Sequence, residues 1–540
     1  MSDAARCAQL VISQLLAQGV TDVVLAPGSR SAPLALVLDA TARAGGLRLH
    51  VRLDERGAGF LALGLAKASR RAVAVVTTSG TAVGNLLPAV MEAHHSALPL
   101  LVVSADRPRW LVGFGANQTT AQTGLFDGFI GYSAQVDAGA PPAAQRAQVA
   151  RAVLLATGAT GGRPGPAHLN IALPEPLVAG PVPAALAGTP VQAQIAVSAE
   201  PVVLSADPLT VVLCGDADPA TGAAAGHLAE VAGLPLIAEP SSNARRGPQA
   251  MATGRLLLAQ DLGRRIQRVI VFGRPTLSRP VSALLSSEAV EVVVVGSRSD
   301  FVDPGWRAQL VVAAVSIPAG DPAWLSAWQQ ADRAQRDQVE QLTSSVPELT
   351  GPEVARLVVA AARSPQVLCV GNSNPIRDAD LAPVNADPGP VYANRGLAGI
   401  DGTLSTAVGI ALGAQAPTTL LCGDLSFVHD ATALAIGSRE ARPQLRIVVA
   451  DDNGGSIFAT LEYGRPEYAD AFERVFATPL DLDLVALAQS YGVPARRLHS
   501  AVELEAALAK PITGLEVLVV TVDRGQRATI TKNMAVPPAP

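Results

Sequence analysis

This sequence predicts an α/β fold of three doubly wound, mostly parallel-sheet domains, and three observations carry that prediction. Short Val- and Leu-rich runs end repeatedly in Gly, Ser, Pro or Asp turns and give way to helical spacing, the pattern of strands buried on both faces. Only 4% of residues are aromatic although 49% are hydrophobic, so the cores must be built from Ala, Val and Leu, which suits tightly packed α/β layers. At 540 residues the chain is too long for one core, and at about 100–200 residues per domain it divides into roughly three or four, of which we take three.

The first segment, 1–180, holds the runs VTDVVLAPGS, LRLHVRLDE, AVAVVTTSG, LPLLVVSADRP and GPAHLNIALP, each followed by a turn and a helical stretch. The Pro, Ala and Gly of LPEPLVAGPVPAALAGTPVQ mark an interdomain linker around 173–200. The second segment, 200–340, repeats the rhythm with TVVLCGDADP, GLPLIAEPSS, RVIVFGRPT and VEVVVVGSR. Its GDADPATGAAAG does not fit GxGxxG and reads as a strand-to-helix turn; no GxxxxGK[ST] occurs. The third, 350–540, contains SPQVLCVGNSN, VYANRGLAGIDG, TTLLCGDLSF, LRIVVADDNGG and GLEVLVVTVDR, so the first and third segments read as two versions of one architecture.

Bulk properties exclude several functions. A net charge of −5 with no basic run argues against a nucleic-acid partner. Lysine occurs only at Lys67, Lys510 and Lys532, which disfavours Schiff-base chemistry. Cys7, Cys214, Cys369 and Cys422 lack ligand spacing and read as reduced thiols of a cytoplasmic protein. The early charges of MSDAARCAQLVISQLLAQG are unlike a signal peptide. Two uncharged stretches of spanning length, 72–91 and 402–423, are laced with turn residues and read as turns between core elements, so no membrane insertion is expected.

Chemistry concentrates at strand ends. Gly423-Asp424 closes one apolar run and Asp451-Asp452-Asn453-Gly454-Gly455 closes the next, with Asp424 and Asp452 28 residues apart, about one helix and one strand. Each aspartate alone reads equally as a helix N-cap. Together, with small residues that let N–H groups approach phosphate oxygens, they suit Mg²⁺ held against a diphosphate. Upstream, Asp54-Glu55-Arg56-Gly57 opens a second apolar stretch, and the combination suggests thiamin diphosphate. Glu55 is either a carboxylate that complements a helix dipole or a carboxyl group in an apolar pocket, raised in pKa and bonded to the aminopyrimidine ring of that cofactor.

DERGAGFLALGLA, TTSGTAVGNLLPAVMEA, GDLSFVHD and DDNGGSIF resemble the two halves of the thiamin diphosphate enzyme superfamily. More narrowly, APGSRSAPL, SADRP, GANQTT, GNSNPIRD and NRGLAGIDGTLSTAVG resemble its carboligases of menaquinone biosynthesis. The resemblance covers nearly the whole chain, densely in the first and third segments and thinly in the middle. It implies decarboxylation of 2-oxoglutarate and addition of the succinyl carbanion equivalent to isochorismate, in a homodimer or a dimer of dimers. It makes Glu55 the catalytic acid/base; Asp424, Asp452 and the Gly454 carbonyl would hold Mg²⁺, with Mn²⁺ as a substitute. Gly399, Ile400, Gly423, Leu425, Ser426, Asn453, Gly454 and Gly455 would cradle the cofactor.

Substrate carboxylates call for planar, permanently charged donors. The family pattern places Arg30, Arg107, Arg377 and Arg395 there, with Ser29, Asn117, Gln118 and Ser373 as hydrogen-bonding partners and Ile457 and Phe458 as an apolar wall. Arg279 is a weaker carry-over, with Arg274 as its alternative. The superfamily usually has GDG and Asn where this chain has GDL and Asp452, so Asn453 remains a rival ligand. His429 follows the metal motif, which allows a general-base role, but reads rather as structural, and His94 and His95 read as packing or capping residues. Two other readings stand: another thiamin enzyme, such as an acetolactate synthase or a 2-oxoacid decarboxylase, and a non-catalytic scaffold of the same fold.

Overall fold

The computed structural model describes residues 1–193, 200–296, 301–346 and 348–537, so part of the linker expected at 173–200 and the end of VEVVVVGSR lie outside the described residues. Contacts divide the chain into two units. The first comprises Met1–Ala196, Asp401–Gln415 and His429–Pro443. Its strands are β1 (Asp22–Leu25), β2 (Arg48–Val51), β3 (Val73–Thr77), β4 (Leu100–Asp106), β5 (Tyr132–Asp137) and β6 (Ala167–Ala172). They form one parallel sheet in the order β2-β1-β3-β4-β6-β5. β1, β3, β4 and β6 are buried along their whole length, as continuous apolar runs require.

The second unit comprises Val197–Ile400, Ala416–Val428 and Gln444–Pro540. Its strands are β7 (Val202–Val203), β8 (Thr210–Cys214), β9 (Leu236–Ala238), β10 (Arg268–Phe272), β11 (Glu291–Val295), β12 (Ala308–Val312), β13 (Val315–Ser316), β14 (Val367–Val370), β15 (Val391–Tyr392), β16 (Thr418–Gly423), β17 (Leu445–Asp451), β18 (Ala495–Leu498) and β19 (Leu515–Thr521). β7 pairs with β13, and the others form a five-stranded sheet β12-β11-β10-β8-β9 and a six-stranded sheet β15-β14-β16-β17-β19-β18. Counted from its own first strand, each six-stranded sheet has the same order, 2-1-3-4-6-5. The architecture is α/β with mostly parallel sheets. In each such sheet the strand order reverses beside the first strand, and ligands gather at that crevice beyond the carboxyl ends.

Within the second unit, polar side chains tie the two sheets together. Asn243 exchanges two bonds with the main chain of Val391, at 2.8 and 3.1 Å, and Arg245 donates to the Ala382 carbonyl at 2.6 Å. The stretch 402–423 is more than turns: it contains the helix Thr403–Ala414, which joins the first unit, and then β16, which joins the second. Among the described residues no helix is long and apolar enough to cross a membrane.

The helix Thr403–Ala414 packs against the helix Glu55–Ser69, whose residues Gly57 to Lys67 are all buried. Glycine permits the approach, since a Cβ on Gly64 would lie 2.2 Å from the Thr406 carbonyl and one on Gly409 2.2 Å from that of Leu61. Gly64→Ala is therefore expected to lower the thermal midpoint. Helix propensity gains about 1 kcal/mol, whereas overpacking against rigid backbone costs about 1–3 kcal/mol. An unchanged melting curve would show that the helices part freely.

Candidate active site

The crevice of the second six-stranded sheet lies between the carboxyl ends of β14 and β16. A cleft opens there, lined by Ser373, Ile400, Gly423, Asp424, Leu425, Ser426, Asp452, Gly454, Gly455, Ile457 and Phe458, all singled out from the sequence. Thr350, Asn374, Asp378, Ser456, Asp523 and Arg527 also line it and were missed. Asp523 and Arg527 follow β19, so the strand end of GLEVLVVTVDR is the signal that points to them. Arg527 grips Asp378 through both oxygens, at 2.8 and 2.9 Å.

Asp424 is 8% exposed and accepts the Gly454 N–H at 2.7 Å. Burial, then the negative charge of Asp452, push its carboxyl up to about 7, although the N–H groups of Leu425 and Gly454 pull the other way. Burial likewise raises Asp452 to about 6, opposed by the Ser456 hydroxyl that donates to it and by Arg527. Asn374 in turn donates to Ser456 at 2.6 Å. Gly454 has φ +136°, and a Cβ there would meet the Ala477 carbonyl at 2.5 Å, so only glycine exposes this backbone.

Two facing carboxylates raised this way suit a cation. Among the described residues no group of three or more His, Cys, Asp or Glu side chains is arranged to hold a metal. An ion here would take two carboxylates, a carbonyl and oxygens of a ligand, the donor set of Mg²⁺ bound with a diphosphate. Asn453 is outside the cleft lining; its φ is +52° and its amide donates to Asp481 at 2.8 Å.

Arg377 and Arg395 lie near the cleft without lining it. Arg395 is 3% exposed and donates to Asn372 at 2.7 Å and to the Thr276 hydroxyl at 2.9 Å, while its Nε is buried without a partner among the described residues. Asn372 also holds the Gly399 carbonyl at 2.7 Å, beside Ile400. Arg377 donates to the Ser373 carbonyl at 2.6 Å. Burial, then the cations Arg395, Arg255 and Arg527, lower its pKa against the pull of Asp378. Neither arginine has an ion-pair partner within 4.0 Å among the described residues, so the group favours an incoming anion. Arg279 is exposed and pairs with Glu462 at 3.1 Å, away from the cleft lining.

In the first unit, the crevice between β1 and β3 is flanked by Arg30 and Ser79. Arg107 is buried at the end of β4 and donates to the Ser79 hydroxyl at 2.5 Å and to the Gln118 carbonyl at 2.8 Å. Gln118, at φ +57°, returns a side-chain bond to the Ser79 carbonyl at 2.8 Å. Burial and the charge of Arg30 lower the Arg107 pKa, and Arg30 itself donates to the Leu173 carbonyl at 3.1 Å and pairs with the exposed Glu175 at 3.2 Å. Ser29 and Asn117 are exposed. Gln122, missed in the sequence, is buried and accepts the Gly80 N–H at 2.9 Å.

Glu55 begins its helix behind Asp54, which caps it by accepting from the N–H groups of Arg56 and Gly57. The first turn is strapped by the segment after Val428: Arg56 reaches the His429 ring and carbonyl, both at 2.9 Å, and Thr432 bonds Asp54 at 2.7 Å. His429 therefore has a structural partner, and His94 bonds the Phe129 carbonyl at 2.9 Å. Glu55 is half-buried. Within this unit it is therefore neither fully exposed nor fully enclosed.

Two family models match: "Thiamine pyrophosphate enzyme, N-terminal TPP binding domain" over residues 5–127 and "Thiamine pyrophosphate enzyme, C-terminal TPP binding domain" over residues 379–522. Several curated relatives carry the name 2-succinyl-5-enolpyruvyl-6-hydroxy-3-cyclohexene-1-carboxylate synthase. One from a Nocardioides species is 47% identical, spanning 98% of this chain and 96% of its own. One from Kineococcus radiotolerans is 48% identical, spanning 96% of each chain. One from Mycobacterium avium is 42% identical, again spanning 96% of each.

Proposed function

This chain belongs to the 2-succinyl-5-enolpyruvyl-6-hydroxy-3-cyclohexene-1-carboxylate synthase family of thiamine pyrophosphate enzymes, and on that premise we propose that it joins the four-carbon unit left by decarboxylation of 2-oxoglutarate to isochorismate. The observation that carries the proposal is the cleft beyond β14 and β16, where two raised carboxylates and a constrained glycine lie near Arg377 and Arg395, which have no ion pair within 4.0 Å among the described residues. Bound there with Mg²⁺, or Mn²⁺ in its place, the cofactor supplies the electron sink that decarboxylation and carbon–carbon bond formation need.

The chain's own residues bind, orient and move protons. Asp424, Asp452 and the Gly454 carbonyl hold the cation; Asp452 is favoured over Asn453 because it lines the cleft, whereas the Asn453 amide nitrogen donates to Asp481 at 2.8 Å and its oxygen accepts the Asp481 N–H at 3.4 Å. Gly399, Ile400, Gly423, Leu425, Ser426 and Gly455 shape the cofactor seat. Glu55 holds a proton against the aminopyrimidine ring. Arg30 and Arg107, with Ser29, Asn117 and Gln118, and Arg377 and Arg395, with Ser373, grip substrate carboxylates. Ile457 and Phe458 wall the site, and Arg279 serves it from the rim.

We read 1–180 as the pyrimidine-binding domain, 200–340 as a central domain and 350–540 as the diphosphate-binding domain. The shared order of the two six-stranded sheets supports this. A homodimer is the minimum assembly, in which a partner's surface would enclose Glu55; its half-burial supports that. Four buried cysteines, none in a disulfide, support a cytoplasmic location.

Purified protein loaded with cofactor and Mg²⁺ should consume 2-oxoglutarate rapidly only when isochorismate is present. Turnover of pyruvate alone, or a bound flavin absorbance, would transfer the chain to a decarboxylase or acetolactate synthase role.

A further inference from the structure

The five-stranded sheet carries none of the residues that shape the cofactor seat, yet one loop at its carboxyl edge touches a substrate arginine. Thr276 follows β10, and both its hydroxyl and its carbonyl accept from Nη2 of Arg395, at 2.9 and 3.2 Å. The other terminal nitrogen donates to Asn372 at 2.7 Å. The loop itself is fixed: the N–H groups of Thr276 and Leu277 both donate to one oxygen of Glu239, at 2.8 and 2.9 Å. Glu239 follows β9 and is 5% exposed.

A guanidinium on a flexible stem grips a carboxylate well only if its planar fork is held in orientation beforehand, because ordering a long side chain at binding costs affinity. Arg395 has both terminal nitrogens pinned from two sheets and its Nε left buried without a partner. We propose that Thr276 is a positioning residue, which aims Arg395 at a substrate carboxylate and gives the central sheet its part in catalysis. This rests on the reading of Arg395 as a carboxylate-gripping residue. Glu239 acts one step further back, by holding the loop that carries Thr276.

Thr276 is exposed, so Thr276→Val removes the hydroxyl without emptying or crowding a core. The loss of one hydrogen bond to a charged group predicts a KM for one of the two acid substrates raised about tenfold. kcat should stay within about twofold, and the melting shift on adding thiamin diphosphate and Mg²⁺ should be unchanged. Thr276→Ser, which keeps the hydroxyl, should restore KM. In an Arg395→Met background Thr276→Val should add nothing, since the two act as one.

If Arg395→Met raises KM and Thr276→Val does not, the positioning role fails alone. Equal losses in both backgrounds, or a loss in Thr276→Ser as large as in Thr276→Val, would also overturn it. If Arg395→Met leaves both KM values unchanged, it is the substrate reading of Arg395 that falls, and the anchor loses its purpose with it.

Discussion

Glu55→Gln is expected to lose a hundredfold or more in kcat while still taking up thiamin diphosphate. The substitution keeps shape and length, so what it removes is a carboxyl group able to hold and return a proton. Positioned acid–base groups contribute about 10²–10⁴ in rate. The cost to the fold is small by comparison. Asp54, not Glu55, caps the helix, and Arg56 is strapped by His429 and Asp430. Loss of one charge in the first turn costs about 0.3–1 kcal/mol. Two measurements separate the effects: steady-state turnover, and the rise in melting temperature when cofactor and Mg²⁺ are added. Turnover near wild type would remove Glu55 from the chemistry. A lost melting shift would instead make it a binding residue.

Which parts of the molecule could be seen in advance follows from what each part rests on. β3, β4, β16 and β17 are fully or almost fully buried, so they stand out as unbroken apolar runs. β5 and β18 lie at sheet edges with only alternate or single residues buried, so their runs do not stand out in the sequence. That Asp424 and Asp452 line one cleft was legible, because strand ends in parallel sheets border such crevices, a rule that needs only local pattern. That Asp452 lines the cleft while Asn453 does not was hidden, because Asn453 is turned to Asp481, 28 residues beyond it. Hidden too was the anchoring of Arg395, whose partner Thr276 lies 119 residues away in the loop after a strand of another sheet. Membership of the helix Thr403–Ala414 in the first unit was equally hidden. Its apolar composition says that it is buried but not in which core; that is decided by the Gly64 and Gly409 contact.

Asp424→Asn is expected to move stability in opposite directions with and without cofactor. In the empty protein, burial and the neighbouring Asp452 charge hold the Asp424 carboxyl at about 7, far above the 3.8 of an ordinary aspartate. Between those two values the folded state binds more protons than the unfolded state, so this group's contribution to stability falls as pH rises from about 4 to 7. An amide carries no charge, and its oxygen can still accept the Gly454 N–H that Asp424 accepts at 2.7 Å. Removing the charge should therefore stabilise the empty protein above pH 7 by about 1–3 kcal/mol, a gain that shrinks toward pH 5. The same change deletes a hard oxygen anion from the cation's donor set, so the melting shift produced by thiamin diphosphate with Mg²⁺ should collapse. Asp452→Asn should behave alike, whereas Asn453→Ala should keep the full shift. An Asp424→Asn protein that is less stable empty and still responds to cofactor would make Asp424 an ordinary helix-start aspartate and move the metal site elsewhere.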